Sequence, residues 1–383
     1  MIKWYNILLT LVLLSGLVSC VEEYWPNIDK YENLLVVDGL VTNGVDTTVV
    51  SLSISTSIND SKLLPLSGAQ VYISDQDNVM SQLIEMEIGS YKIPASEFIG
   101  KVGDSYQLHI NHPNGNKYVS DISTLLEPSP IDSVYSSPDS YELTNGDHPV
   151  VGLQFYIDNH GLTADTCNYL WRLSQTYKYQ SSFTLDYIWE GAMIQVENPD
   201  SLRTCWRTKP VQQIFTYSTR YLDNTKITKY PLNFVSTDTK MLSMRYSLFV
   251  EQLTIEDRAF SFWDALQKQN ISQENLYTQQ PVQIRGNVRN VLDEDEVVLG
   301  YFTVAGVTKK RVYVNRPASL TFYYSVCDPD FESMMMVAAS TPTFWPIFIT
   351  NIPGAGMALG ASDVCFDCRL EGGGLNPPNF WEE

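Results

Sequence analysis

Val49-Val50-Ser51-Leu52-Ser53-Ile54-Ser55 decides the fold class. Val50, Leu52 and Ile54 alternate with serines, so one face is apolar and the other polar, the two-residue period of a half-buried strand. The theme repeats outward in Val71 and Ile73, and again in Tyr106, Leu108 and Ile110. Asn114-Gly115 follows, a hairpin signal because both residues tolerate positive φ. Gly39, Gly68, Gly89, Gly100 and Gly103 punctuate the rest. Short strands separated by turns predict an N-terminal Ig-like or transthyretin-like sandwich over residues 33–125.

Leu126-Glu127-Pro128-Ser129-Pro130 is read as a boundary, since two prolines in three residues stiffen and extend the chain. A larger β-rich domain is expected over 131–341. Val150 to Ile157, Tyr169 to Tyr179, Ser182 to Trp189, Pro210 to Asp223 and Leu242 to Leu253 are aromatic and β-branched, as strands prefer. One helix interrupts it near 254–270. Thr254 is read as its cap and Asp257 as its third position, with an apolar stripe through Ile255, Ala259, Phe262 and Leu266. Strands Val282 to Val291 and Val297 to Val304 follow, joined by Asp293-Glu294-Asp295-Glu296, which is read as a solvated turn, not a calcium loop. Lys309 to Val314 continues as an edge-like strand. The Gly-, Pro- and Cys-rich tail over 342–383 is expected to be irregular and packed on the second domain. The fold class is mainly β.

The chain opens with an address. Lys3, the apolar run Leu8 to Leu14 and small residues leading to a cysteine have the order of a secretory signal over residues 1–19. The run is short for a membrane span. Leu17-Val18-Ser19-Cys20 resembles a bacterial lipobox, which implies cleavage before Cys20, acylation of Cys20 and anchoring by lipid at the head of a tether over 20–32. Glu22 and Glu23 resemble the lipoprotein export signal described for Bacteroidota, which implies display on the outer face.

The chain is 44% hydrophobic and 18% charged, which suits folded cores and not disorder. Its net charge is −19 with only 25 Lys and Arg and no basic run, which argues against a nucleic-acid partner and against charge-driven docking on anionic lipid. Besides Cys20 there are Cys167, Cys205, Cys327, Cys365 and Cys368, an odd number in a disulfide-permissive compartment. One or two bridges are expected with one thiol left over. Cys167 with Cys205, and Cys327 with Cys365 or Cys368, are the pairings considered.

Cys365-Phe366-Asp367-Cys368 could be a redox dithiol, half a zinc site or disulfide material. Glycines on both sides deny it the strand-to-helix setting of a redox motif, and only Cys327 is an obvious further metal ligand, so a structural role is expected. No metal and no cofactor is assigned. The sequence lacks His-Glu-x-x-His, Gly-x-Ser-x-Gly and a phosphate-cradling loop, and no catalytic residue is named.

In the tail, Cys365-x-x-Cys368-Arg369, a glycine cluster and Asn376-Pro377-Pro378-x-Phe380-Trp381 resemble the ending of the domain of unknown function 4249 family of Bacteroidota outer-membrane lipoproteins. Leu35-Val36-Val37-Asp38-Gly39, Gly68-Ala69-Gln70-Val71 and Gly300-Tyr301-Phe302-Thr303-Val304 extend the resemblance along the chain. The family usually carries a lysine in the tail where this chain has Pro377-Pro378. The resemblance implies an outer-membrane lipoprotein whose partner is a TonB-dependent transporter. The expected function is therefore a non-enzymatic, surface-exposed binding or accessory protein in nutrient uptake. The alternatives are a cell-envelope hydrolase on peptide or glycan, for which 44 acidic residues single out no pair, and an adhesion or structural protein.

Overall fold

A computed structural model of the chain describes residues 33–56, 63–142, 148–161, 166–222, 225–273 and 284–382. The molecule is mainly β. The first strands are β1 (Leu35–Thr42), β2 (Thr48–Ile54), β3 (Leu64–Pro65), β4 (Gln70–Ser74), β5 (Met80–Glu87), β6 (Ser90–Ile93), β7 (Ser105–Asn111), β8 (Lys117–Ser120) and β9 (Ser123–Thr124). β2 is buried at Val50 and Leu52 and exposed at Ser51, as its alternation requires.

β5 turns the corner of a sandwich. Its first half pairs with β4 and its second half with β6, so one strand serves both layers. One layer continues from β6 through β2 to β1, and the other from β4 through β7 to β8. Val37, Val50, Leu52 and Tyr91 of the first layer meet Val71, Ile73, Leu108 and Ile110 of the second in a closed core. The β7–β8 hairpin turns at Asn114-Gly115, with Gly115 at φ 96°. His109 and His112 go to different local partners. His109 Nε2 lies 2.9 Å from Ser74 Oγ, and His112 Nδ1 accepts from the Asn114 amide.

Beyond Pro130 come β10 (Ile131–Tyr141), β11 (Val150–His160), β12 (Asn168–Gln180), β13 (Tyr187–Trp189), β14 (Met193–Gln195), β15 (Thr204–Pro210), β16 (Phe215–Ser218), β17 (Lys226–Ser236) and β18 (Arg245–Ile255). The helix α1 (Asp257–Gln273) follows, then β19 (Val288–Asn290), β20 (Leu299–Asn315), β21 (Ile347–Ile352) and β22 (Gly356–Ala358). β10, β11 and β17 form one sheet, which packs on the sheet containing β15, β12, β18 and β20. Phe155 and Ile157 from the first meet Trp171, Tyr179, Tyr246 and Leu248 from the second. The opposite face of the second sheet is covered by α1, with Ala259 and Phe262 against Leu170, Leu253 and Tyr301.

α1 begins later than the sequence suggests. Thr254 and Ile255 remain in β18, paired with Tyr169 and Asn168 of β12, and Thr254 Oγ1 accepts from the Ser129 amide. The sheet claims both residues, and the first helical hydrogen bond runs from the Phe260 amide to the Glu256 carbonyl. Asp257 stands in the first turn, where a carboxylate suits the helix dipole.

β20 joins the two halves. Residues 299–305 run parallel to β1, and residues 306–315 run antiparallel to β18. Lys309 to Val314 is thus the second half of one long strand, not a separate one. Phe302 and Val304 enter the sandwich core, and Tyr301 and Ala305 face α1. Val288 of β19 adds to the sandwich as well, beside β8. Where β20 changes partner stands Gly306, and a Cβ there would meet the Leu126 carbonyl and the Pro128 nitrogen. The proline segment crosses at that point. Gln252 fastens it: its Nε2 donates to the Ser129 carbonyl, and its Oε1 accepts from Asn159 and Trp171.

Candidate binding surfaces

Cys20, Glu22 and Glu23 lie outside the described residues. The other five cysteines are placed. Cys205 pairs with Cys368 and Cys327 with Cys365, with Cα atoms 5.7 and 5.8 Å apart. The Cys167–Cys205 pairing is therefore corrected. Cys205 sits on β15 facing the core, where the tail brings Cys368, and Cys167 takes part in neither bridge. The Cys-x-x-Cys pair is split between two distant partners, so it makes neither a dithiol nor a metal claw. Among the described residues, no group of three or more His, Cys, Asp or Glu is gathered for a metal.

The two disulfides seat the tail on the second half of the molecule. The Tyr179 hydroxyl donates to the Cys368 carbonyl, and Trp206 exchanges backbone hydrogen bonds with Gly374. Asp367, nearly buried, binds the Arg369 guanidinium through both oxygens, and these hydrogen bonds hold its carboxyl below the usual range. Farther on, Arg311 lies over the Phe380 ring at 3.7 Å, and Trp381 meets Tyr313 edge-on.

Part of the tail is ordered as a lobe and not irregular. β14, β13, β21 and β22 form a small sheet in that order. The Asp186 carboxylate ties β13 to β21 by accepting from the Asn351 amide and the Thr350 hydroxyl. Phe366 fills the interior between Phe183 and Phe348, beside the Cys327–Cys365 bridge. Outside that interior the lobe also carries apolar surface. A cavity of about 380 Å³ is lined by Met336, Val337, Phe344, Phe348 and Phe366. Met335, Met336 and Phe344 are 83%, 69% and 71% exposed. Contiguous apolar surface of this kind marks contact sites, and thioethers adapt to varied partners. The signal legible in the sequence was the run Met334-Met335-Met336, which periodicity does not detect.

A second, polar cleft lies where β1 meets β12, β18 and β20. Its charges pair with one another: Arg172 with Asp38 at 3.3 Å, and Lys309 with Asp46 and Glu251. Burial alone would depress the Lys309 ammonium, but the two carboxylates outweigh it and leave its pKa raised. Asp38–Arg172 and Asp46–Lys309 each bridge the two halves. The Asp293–Glu296 acids also turn inward in part, for Glu296 accepts from the Tyr118 hydroxyl at 2.8 Å and from the Asn290 amide.

Comparison with known proteins adds a family. No curated protein matches the sequence. Among solved structures, the crystal structure of trypsin-activated alpha-2-macroglobulin from Escherichia coli is similar over 59% of this chain at 14% identity and a TM-score of 0.18. This chain spans 15% of that protein's length, and a likeness so slight carries no structural argument. Residues 21–311, well over half of the chain and ending inside β20, match a family named only as a domain of unknown function. The segments that the family resemblance singled out, Leu35 to Gly39 and Gly300 to Val304, lie side by side in the parallel β1–β20 pair, where Gly39 leaves room for the Phe302 ring. The chain belongs to the family Domain of unknown function (DUF4249).

Proposed function

We propose that this protein is a non-enzymatic binding or accessory component of the outer membrane, lipid-anchored through Cys20 and displayed at the surface under the direction of Glu22 and Glu23. Its partner is a TonB-dependent transporter in nutrient uptake. The observation that carries a binding role is the apolar surface of the C-terminal lobe, where exposed Met336 and Phe344 line a cavity and Met335, next in the chain, is also exposed. The signal-like order from Lys3 to Cys20 supports the membrane anchor. An acyl anchor leaves the folded body free to meet a neighbouring membrane protein side-on.

Affinity capture of the tagged full chain from mildly solubilised outer membrane tests this reading. A β-barrel transporter should be recovered with the native protein and lost with the Met335→Ser/Met336→Ser/Phe344→Ser variant, since exposed anchors of this kind carry about 2 kcal/mol each at an interface. Recovery of no barrel by the native protein would overturn it. Cys20→Ala should move the protein out of the membrane fraction, and unchanged fractionation would remove the lipid anchor from the account.

A further inference from the structure

Another groove lies away from the C-terminal lobe, between α1 and β17. It encloses about 590 Å³, a volume suited to a small ligand or a few linked rings. Gln267 and Asn270 enter it from one face of α1, three residues apart. Gln212 and Gln213 approach from the segment before β16, and Tyr230 and Phe215 supply aromatic surface. Among the described residues, no charged side chain lines it, although the chain carries a net charge of −19. A charged ligand would find no partner there, whereas a neutral ligand rich in hydroxyls would find four side-chain amides, each both donor and acceptor.

The groove is built rather than left over. The Thr216 hydroxyl donates to Gln267 Oε1 at 2.6 Å, and the Tyr230 hydroxyl donates to the Thr216 carbonyl at 2.9 Å. Tyr230 is held from behind by the stacked Trp171 ring, 4.6 Å away, and by Tyr217 edge-on. β17 departs from regular pairing with β11 on both sides of Tyr230, once between Gln154 and Tyr156 and once between Ile157 and Asn159. Lys229, inside the second irregularity, has φ 56°, an uncommon conformation for a non-glycine residue, and its amide donates to Asp158. Bulges re-aim side chains beside sites, and here two of them set Tyr230.

We propose that this groove binds a neutral oligosaccharide, with Gln212, Gln213, Gln267 and Asn270 pairing with its hydroxyls and Tyr230 packing against a sugar ring. Sugars present apolar ring faces and uncharged hydroxyl edges, and the lining offers a counterpart to both. The proposal goes beyond the docking role and uses none of the residues of the C-terminal lobe, so either can fail alone.

Calorimetric titration of the purified full chain with neutral oligosaccharides derived from cellulose, starch, mannan and xylan tests it, with acidic pectin fragments as the charged comparison. At least one neutral series should bind, and the acidic fragments should bind at least about tenfold more weakly. Gln213→Ala/Asn270→Ala should weaken binding about tenfold or more, since each lost hydrogen bond is worth about 1 kcal/mol. Gln213→Glu, at an exposed position, should weaken it while leaving thermal unfolding unchanged. Silence of every neutral series, equal binding of the acidic fragments, or unchanged affinity in both variants would overturn the proposal. The Met335→Ser/Met336→Ser/Phe344→Ser variant should bind sugar as the native protein does.

Discussion

Asp367 and Gly306 each make a different physical demand. The Arg369 guanidinium, with the Arg369 backbone amide, holds the Asp367 carboxyl below its ordinary value of 3.8. A depressed folded-state value means that the charged form stabilises the fold above the unfolded pKa, and that this contribution is lost as pH falls through the folded one. Asp367→Asn should therefore cost about 1–2 kcal/mol at neutral pH, a figure held down because Arg369 is half exposed. The deficit against the native protein should shrink below pH 3.8. Urea titrations at neutral and acid pH measure both, and a pH-independent deficit would show that charge is not the cause. Gly306 is a matter of space. A side-chain carbon there would run into the Leu126 carbonyl and lie 2.7 Å from the Pro128 nitrogen. Backbone cannot move aside as a rotamer can, so Gly306→Ala should cost about 3 kcal/mol. Gly374→Ala, where a Cβ meets nothing within 4 Å, should stay within about 0.5 kcal/mol, and urea titration of both glycine variants checks the contrast.

Elements show what could be read in advance and what could not. The alternation of Val50, Leu52 and Ile54 declares its strand because the two-residue period is local, and Asn114-Gly115 declares its turn for the same reason. The start of α1 is not local. Thr254 is a good cap by type, but pairing with β12 holds it in the sheet. β20 is legible as strand but not as the shared strand of two sheets, since its partners β1 and β18 lie far off in sequence. The cysteine pairing is hidden in the same way, because Cys205 meets Cys368 only once the tail has folded back across 163 residues. The exposed methionines leave no period at all. The two bridges are nested, with Cys327–Cys365 inside the loop that Cys205–Cys368 closes. By loop-closure entropy the outer bridge contributes about 5 kcal/mol and the inner about 4 kcal/mol. Either one shortens the loop left for the other. Cys205→Ser/Cys368→Ser should thus destabilise more than Cys327→Ser/Cys365→Ser, and the fourfold variant should lose more than their sum in equilibrium urea unfolding, since removing one bridge lengthens the loop that the other closes. A strictly additive result would mean that loop closure is not how they act.

For the molecule as a whole, the 23 tyrosines set the response to alkali. Several are core residues, not contact surface: Tyr91 and Tyr106 in the sandwich, and Tyr169, Tyr179 and Tyr246 between the second pair of sheets. Burial pushes the phenols of Tyr118, Tyr179 and Tyr301 up to about 12, and raises those of Tyr169 and Tyr246 as well. A raised folded-state value leaves the neutral phenol's contribution intact below the unfolded pKa of 10.0, and erodes it as pH climbs toward the folded value. Because these rings lie in both halves joined by β20, the loss should be global. Ultraviolet titration should resolve exposed tyrosines ionising near pH 10, then a second group ionising together near pH 12 as the far-ultraviolet circular dichroism collapses. Ionisation of all tyrosines in one step near pH 10, with the sheet signal intact, would contradict the burial on which both cores depend.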